Sequence, residues 1–230
     1  MEIEILQLLD GARRAKGLTV IIDVFRAFSV EAYFFANGAE KIFPIADIEL
    51  AYRLKQKNPE VILAGERGGK ILPGFDVGNS PSELIKLPIH GKTVVHTTSA
   101  GTQGVANAIG ADEILGASLV NAKATAKYVK QRGIENVSLV CMGLEAVAET
   151  EEDTLCARYI KALLEGTESA LNMPEEIEKL KYTSGAKFFD EKQNKVFPRA
   201  DFGMCVEIDK FDFAIRYDKE RACMRVVNNK

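Results

Sequence analysis

Between residues 3 and 165, short apolar runs rich in β-branched side chains alternate with longer amphipathic ones. No other feature of the chain restricts its fold as much. The runs at 3–6, 18–22, 41–44, 61–64, 93–96, 113–115 and 137–141 have the length and composition of strands. Between them, 27–37, 48–57, 82–86, 102–109, 122–132 and 152–165 carry helical spacing. In 48–57, for example, Ile48, Ala51, Tyr52 and Leu54 share one face, with Glu49, Arg53, Lys55 and Lys57 outside it. Strand–helix alternation predicts an α/β fold, with a largely parallel sheet covered on both faces. After residue 165 the pattern changes. Residues 173–181 and 186–191 read as helices around the turn Thr183-Ser184-Gly185. The runs 211–217 and 223–227 read as an antiparallel hairpin at the sheet edge. With no repeat, low-complexity tract or long linker, one domain over 1–230 is expected.

Composition narrows the function classes. Apolar residues make up 47% of the chain and charged residues 27%, the usage of a globular protein. The 30 basic and 33 acidic side chains give a net charge of −3, with no basic stripe of the kind that nucleic-acid binding needs. An anionic ligand must therefore be held by a few placed groups and not by the field of the whole protein. The most apolar stretch, 18–22, is too short to span a membrane. Cys141, Cys156, Cys205 and Cys223 form no C-x-x-C pair, and no signal-peptide pattern opens the chain. Reduced thiols in the cytoplasm are the expectation. His90 and His96 are too few for a His-rich catalytic zinc site.

In open α/β sheets, ligands bind beyond the carboxyl ends of the strands. The residues that follow the predicted strands are polar: Asp23 and Arg26, Glu66 and Arg67, Thr97 to Thr102, and the acidic 149–153 segment. Thr97, Thr98, Ser99, Gly101 and Thr102 enter a helix, so hydroxyls and free N–H groups there form a candidate phosphate cradle. For a single hydroxyl, helix capping explains the residue as well. Asp23 with Arg26 reads equally as a helix-capping pair, and Glu66-Arg67-Gly-Gly as a surface turn. Asn79 or Ser80 could cap the helix near Pro81. Glu151, Glu152 and Asp153 suit either a helix dipole or a hard cation such as Mg²⁺.

Several phosphatase chemistries are absent. None of Cys141, Cys156 and Cys205 has an arginine six positions later; those places hold Val147, Ala162 and Phe211. Asp23 lacks a second aspartate two positions on, where Phe25 stands. No Arg-His-Gly run occurs. Water attack assisted by a metal remains, as does an aspartate nucleophile in another setting.

Six ordered motifs resemble the 2-phosphosulfolactate phosphatase family. They are Asp23-Val-Phe-Arg-Ala, Ala64-Gly-Glu-Arg67, Gly74-Phe-Asp-Val-Gly-Asn-Ser-Pro81, Thr97-Thr-Ser-Ala-Gly-Thr102, Asn121-Ala122 and Glu152-Asp-Thr-Leu-Cys-Ala157. Asp201 and the last strands continue the likeness more faintly. The resemblance implies a three-layer α/β/α fold and Mg²⁺-dependent hydrolysis of 2-phospho-3-sulfolactate to sulfolactate and phosphate, a step towards coenzyme M. On this reading Asp23, Glu152 and Asp153 hold Mg²⁺, Arg26 and Arg67 neutralise phosphate and sulfonate, and Asn79 and Ser80 complete the cradle with Thr97, Thr98, Ser99, Gly101 and Thr102. Glu66 or Asp76 positions the attacking water, or Asp23 itself becomes phosphorylated. Phe28, Ala100 and Arg158 depart from the family pattern, and Phe28 and Ala100 are expected near the pocket, where they bear on substrate identity. The alternatives are a phosphatase of another 2-phospho acid or sugar phosphate, or a non-catalytic binder of such an acid. A homodimer is the default assembly.

Overall fold

A computed structural model describes residues 1–228. Ten strands build the sheet: β1 (Glu2–Gln7), β2 (Gly17–Ile22), β3 (Lys41–Pro44), β4 (Ile62–Arg67), β5 (Lys70–Ile71), β6 (Thr93–Thr97), β7 (Ala111–Ala117), β8 (Asn136–Cys141), β9 (Phe213–Asp218) and β10 (Cys223–Asn228). The helices are α1 (Leu8–Arg14), α2 (Ala27–Ala36), α3 (Ile48–Lys57), α4 (Pro81–Leu84), α5 (Gly101–Asn107), α6 (Ala122–Arg132), α7 (Glu151–Glu165), α8 (Met173–Leu180) and α9 (Arg199–Cys205).

β2 shows why the sheet is sandwiched. All six of its residues are buried, as a strand covered on both faces requires. Leu18, Val20 and Ile22 join an apolar cluster with α6 and α7, while Ile21 points into a second cluster with α2 and α5. A third, smaller cluster lies under α3, where Ala51 meets Leu63, Phe75 and Val95. α3 starts where the Asp47 carboxylate accepts the Glu49 N–H at 2.9 Å.

The strand order β1-β8-β2-β7-β9-β10-β3-β6-β4-β5 corrects one expectation. The C-terminal hairpin does not sit at the sheet edge. β9 pairs with β7 and β10 pairs with β3, both antiparallel, so the hairpin is the bridge between two parallel groups. Its buried residues Ala214, Ile215, Cys223 and Met224 carry the apolar content that a central position demands. Sequence alternation identified the pair but had no information on its neighbours. Three further elements lacked a clear local signal. α1 has a glycine at its centre, β5 is two residues long, and α9 follows a run of turns.

Three antiparallel steps separate β7 from β3, so β3, β6 and β4 run opposite to β2, β7 and β8 along the ladder. In a flat sheet the carboxyl ends of β2 and β6 would lie at opposite rims. Instead the Gly101 N–H, beyond β6, donates to the Asp23 carboxylate, beyond β2, at 2.9 Å. The sheet is therefore strongly coiled, using the twist that accumulates over ten strands to bring the two sets of ends together.

Candidate active site

Where those ends meet there is a cavity of about 260 Å³, lined by Asp23, Phe25, Arg26, Glu66, Asn79, Ser99, Ala100, Glu145, Glu152 and Lys187, with Gln193 and Phe197 at one wall. A larger recess of about 410 Å³ beside α7 and α8 is bordered by the Arg158–Glu176 ion pair. Both of those side chains are partly exposed, so they are well solvated. The smaller cavity is the chemical one, because charged groups that elsewhere prefer water are buried around it.

Each carboxylate there is held by backbone. Asp23, just past β2, accepts the Ala27 N–H at 3.0 Å with Oδ1 and the Gly101 N–H at 2.9 Å with Oδ2. The second bond depends on position 101 being glycine, since a Cβ there would come within 2.7 Å of the Ala27 Cβ. Glu66, at the end of β4, accepts the Ser99 N–H at 2.7 Å and the Gly69 N–H at 2.7 Å, and the Ser99 hydroxyl at 3.2 Å. Asp153 spends both oxygens, at 2.8 Å each, on the N–H groups of Val24 and Gly143, and so ties the ends of β2 and β8 together. Glu152 differs: its Oε2 is buried and has no hydrogen-bond partner.

Burial pushes the Asp23 pKa up to about 6; the Ala27 and Gly101 N–H groups oppose this, and the negative charges of Glu66 and Glu152 reinforce it. Burial also raises Asp153, with Glu152 and Asp23 adding to the effect. Glu152 is raised by burial too, with the Ser184 hydroxyl first and then the nearby Lys187 ammonium pulling the other way. The cluster thus holds more negative charge than its surroundings stabilise. The consequence for stability has a definite sign. A carboxyl raised from 3.8 to about 6 makes the folded state bind more protons than the unfolded one across that interval. Stability therefore falls as pH rises from 4 to 6, by about 3 kcal/mol for Asp23 alone, and stays low above it. Melting temperatures in EDTA should fall over that range, and a divalent cation should restore them at pH 7 but not at pH 4. A melting temperature in EDTA that does not fall between pH 4 and 7 would show that the cluster carries no such surplus.

The residues present suit Mg²⁺ in a restricted way. Among the described residues, no three His, Cys, Asp or Glu side chains are placed to hold one ion. Mg²⁺ commonly takes only one or two protein carboxylates and fills its octahedron with water and phosphate oxygens. Asp23 and Glu152, both on the cavity wall, match that pattern, the latter with an unpartnered oxygen.

The cations are positioned as firmly. Arg26 donates from Nη1 to Asp201 Oδ2 at 2.7 Å, and both side chains are buried. Asp201 Oδ1 accepts the Ser80 hydroxyl and the Ser82 N–H, each at 3.0 Å. This buried pair turns the rest of the guanidinium fork to the cavity. Asn79 is aimed by a second relay. His96 is buried between Glu31, 3.0 Å from Nδ1, and Asn79 Oδ1, 3.3 Å from Nε2. An amide oxygen only accepts, so Nε2 carries the proton, and among the described residues no hydrogen bond occupies the Asn79 NH₂ group.

The other expected site residues are placed elsewhere. Asp76 is not at the cavity; its carboxylate accepts from Lys55 at 2.9 Å and from the Leu63 N–H at 2.8 Å, which fixes the loop before α4 to β4. Arg67 turns its guanidinium inward to the carbonyls of Glu66 and Ala46 and to the Thr97 hydroxyl. Thr98 and Thr102 are buried and bond to one another across the start of α5. Of the hydroxyl run, Ser99 alone faces the cavity, while Ser80 serves Asp201. Thus Thr97, Thr98 and Thr102 shape the loop and do not line the pocket, because the sharp turn into α5 consumes their polar groups. Ala100 lines the cavity as expected. Phe28 does not; it is a core residue packed so tightly on Gly116 that a Cβ there would lie 2.3 Å from its ring.

Sequence reasoning missed the wall formed by Phe25, Lys187, Gln193 and Phe197. The segment reaches the site because Gly69, in the β4–β5 turn at φ +77°, lets the Phe197 ring come within 2.5 Å of where a Cβ would be. A cluster of four phenylalanines between 188 and 202 in an otherwise polar stretch was the available signal.

Comparison with known proteins gives the family. A family model described as 2-phosphosulpholactate phosphatase matches residues 4–220. A "probable 2-phosphosulfolactate phosphatase" of Caldicellulosiruptor saccharolyticus is 44% identical over 144 residues, 61% of this chain and 59% of the relative. A Bacillus subtilis protein of the same name is 31% identical over 204 residues, 88% of each chain. One of Carboxydothermus hydrogenoformans is 38% identical over 165 residues, 71% of this chain and 68% of the relative.

Proposed function

Because this chain belongs to the 2-phosphosulpholactate phosphatase family, we propose that it hydrolyses 2-phospho-3-sulfolactate to 3-sulfolactate and phosphate with the help of Mg²⁺. The observation that carries this reading is the surplus of buried carboxylate, Asp23, Glu66 and Glu152, in a cavity that also presents Arg26. A pocket built only to bind a phosphorylated acid would gain nothing from negative charge there. A pocket that binds the acid together with a cation gains neutrality.

When bound between Asp23 and Glu152, Mg²⁺ would supply a Lewis acid that draws charge from the phosphoryl oxygens. The protein groups do the rest. Arg26, fixed by Asp201, and the Asn79 NH₂, aimed by His96, donate to phosphate oxygens that gain charge as the ester bond breaks. The Asp23 carboxylate, on the cavity wall, can orient an attacking water and take its proton. The bond between phosphorus and the C2 oxygen breaks as the bond from water to phosphorus forms, and the proton taken up from the water passes to the leaving alkoxide. Glu66 holds the Ser99 and Gly69 loops against one another and so keeps the two sides of the cavity at a fixed distance.

Phosphate release from a panel of small phosphorylated acids, in Mg²⁺ and in EDTA, tests this. Release greatest on 2-phosphosulfolactate and lost in EDTA is the expected result. Full activity in EDTA would remove the metal from the scheme. Preference for another acid would keep the chemistry and change the substrate, and no release would leave a binding protein. Among the described residues no helix is long and apolar enough to cross a membrane.

A further inference from the structure

The proposed substrate brings three acidic groups, a phosphate, a carboxylate and a sulfonate, and the cavity must answer more than the first. Arg67 is occupied by two carbonyls and a hydroxyl, and Arg26 is committed beside Asp201. The remaining cation on the wall is Lys187, on the single helical turn Ala186–Phe189. It forms no ion pair among the described residues. Its ammonium rests instead on aromatic faces, 5.2 Å from the centre of Phe197, 5.7 Å from Phe188 and 5.8 Å from Phe25. These rings brace one another edge to face: Phe25 lies 4.9 Å from Phe188, and Phe188 lies 5.8 Å from Phe197. A lysine held by rings keeps its N–H donors for a ligand, whereas one held by a carboxylate spends a donor on it.

We propose that Lys187 is the specificity-determining cation of this site and grips the substrate's remote sulfonate, a proposal that rests on the phosphatase reading above. The placement follows from the groups around the cavity. The phosphate must meet Asp23 and Glu152, and Lys187 lies close enough to Glu152 to act on its charge, so the sulfonate of a three-carbon acid bound there comes within reach of the Lys187 ammonium. A sulfonate is a permanent monoanion with three equivalent oxygens, which a single ammonium with three donors satisfies. The methylene next to it is apolar and finds the Phe197 ring. Arg26, 4.9 Å from that same ring and braced by Asp201, remains the phosphate's cation.

The test compares 2-phospho-3-sulfolactate with 2-phospholactate, in which a methyl group replaces the sulfomethyl group. The native protein should prefer the former. In Lys187→Met, which keeps the aliphatic stem on the rings, the ratio of kcat/KM values should fall about 10- to 100-fold, the size of one charge-assisted hydrogen bond. The change should appear in KM, and Lys187→Arg should recover most of the ratio. Calorimetric binding of the product 3-sulfolactate gives a reading that needs no turnover, and Lys187→Met should weaken it by the same factor. If native protein hydrolyses the ester but Lys187→Met weakens both substrates alike, the sulfonate assignment fails while the phosphatase reading stands. If native protein neither hydrolyses the ester nor binds sulfolactate, both fail. An unchanged melting temperature for Lys187→Met confirms that specificity and not folding has been measured.

Discussion

Replacing Glu152 with glutamine lowers phosphate release roughly 10²- to 10³-fold, the usual cost of losing one charge-stabilising group in a closed site, while the metal-free protein becomes more stable. Both halves of this expectation come from the same atom. Glu152 Oε2 is buried without a partner, and burial raises the pKa of its carboxyl. Glutamine is isosteric and uncharged, so the repulsion from Asp23 and Asp153 disappears. Relief of that buried, repelled charge stabilises the metal-free fold. The melting temperature in EDTA should therefore rise, and the further rise on adding Mg²⁺ should shrink. A structural carboxylate would behave in the opposite way, with stability falling and activity following only as the folded fraction falls. Thermal melts with and without Mg²⁺, beside phosphate-release rates, separate the two. Undiminished turnover would take Glu152 out of the site.

Removing the chain from residue 213 onward should abolish cooperative folding. The truncation deletes β9 and β10, and with them four fully buried side chains, Ala214, Ile215, Cys223 and Met224. Ile215 and Met224 alone contribute roughly 1.5–3 kcal/mol each from burial, a large part of the 5–15 kcal/mol that stabilises a typical domain. The greater loss is topological. β7 and β3 lose their partners, which leaves two unpaired edges in the middle of the molecule. Asp23 and Arg26 belong to one parallel group, and Glu66 and Ser99 to the other. Their meeting depends on the hairpin between the groups. Circular dichroism should show no cooperative melt, and the product should be prone to aggregate. A hairpin at the outer edge, as local pattern alone suggests, would leave a soluble protein with a smaller loss. Ile215→Asp is a milder version, and its effect should be largely destabilisation, since the residue does not touch the cavity.

The alternation of short β-branched runs with amphipathic segments sufficed for the α/β class, because the two-residue and 3.6-residue periods are local properties of the chain. It also identified the polar strand ends, and Asp23, Arg26, Glu66, Asn79, Ser99 and Glu152 do come together at one cavity. Partner choice in the sheet is another matter. β9 and β10 read the same from the sequence whether they lie at an edge or in the centre, since alternation reports burial but not neighbours. The direction in which a side chain is spent is equally invisible. Arg67 and Arg26 are both arginines after strands, yet one turns to carbonyls and the other is swung to the cavity by Asp201, 175 positions away. Lys187 and Phe197 enter the site only because a glycine at position 69 allows the late segment to close on the β4–β5 turn. Local periodicity thus determined the elements of this protein and the residues at their ends. The coiled sheet decided which ends meet, because contacts between distant segments are set by packing and twist, and these act on the assembled chain and not on any stretch of it.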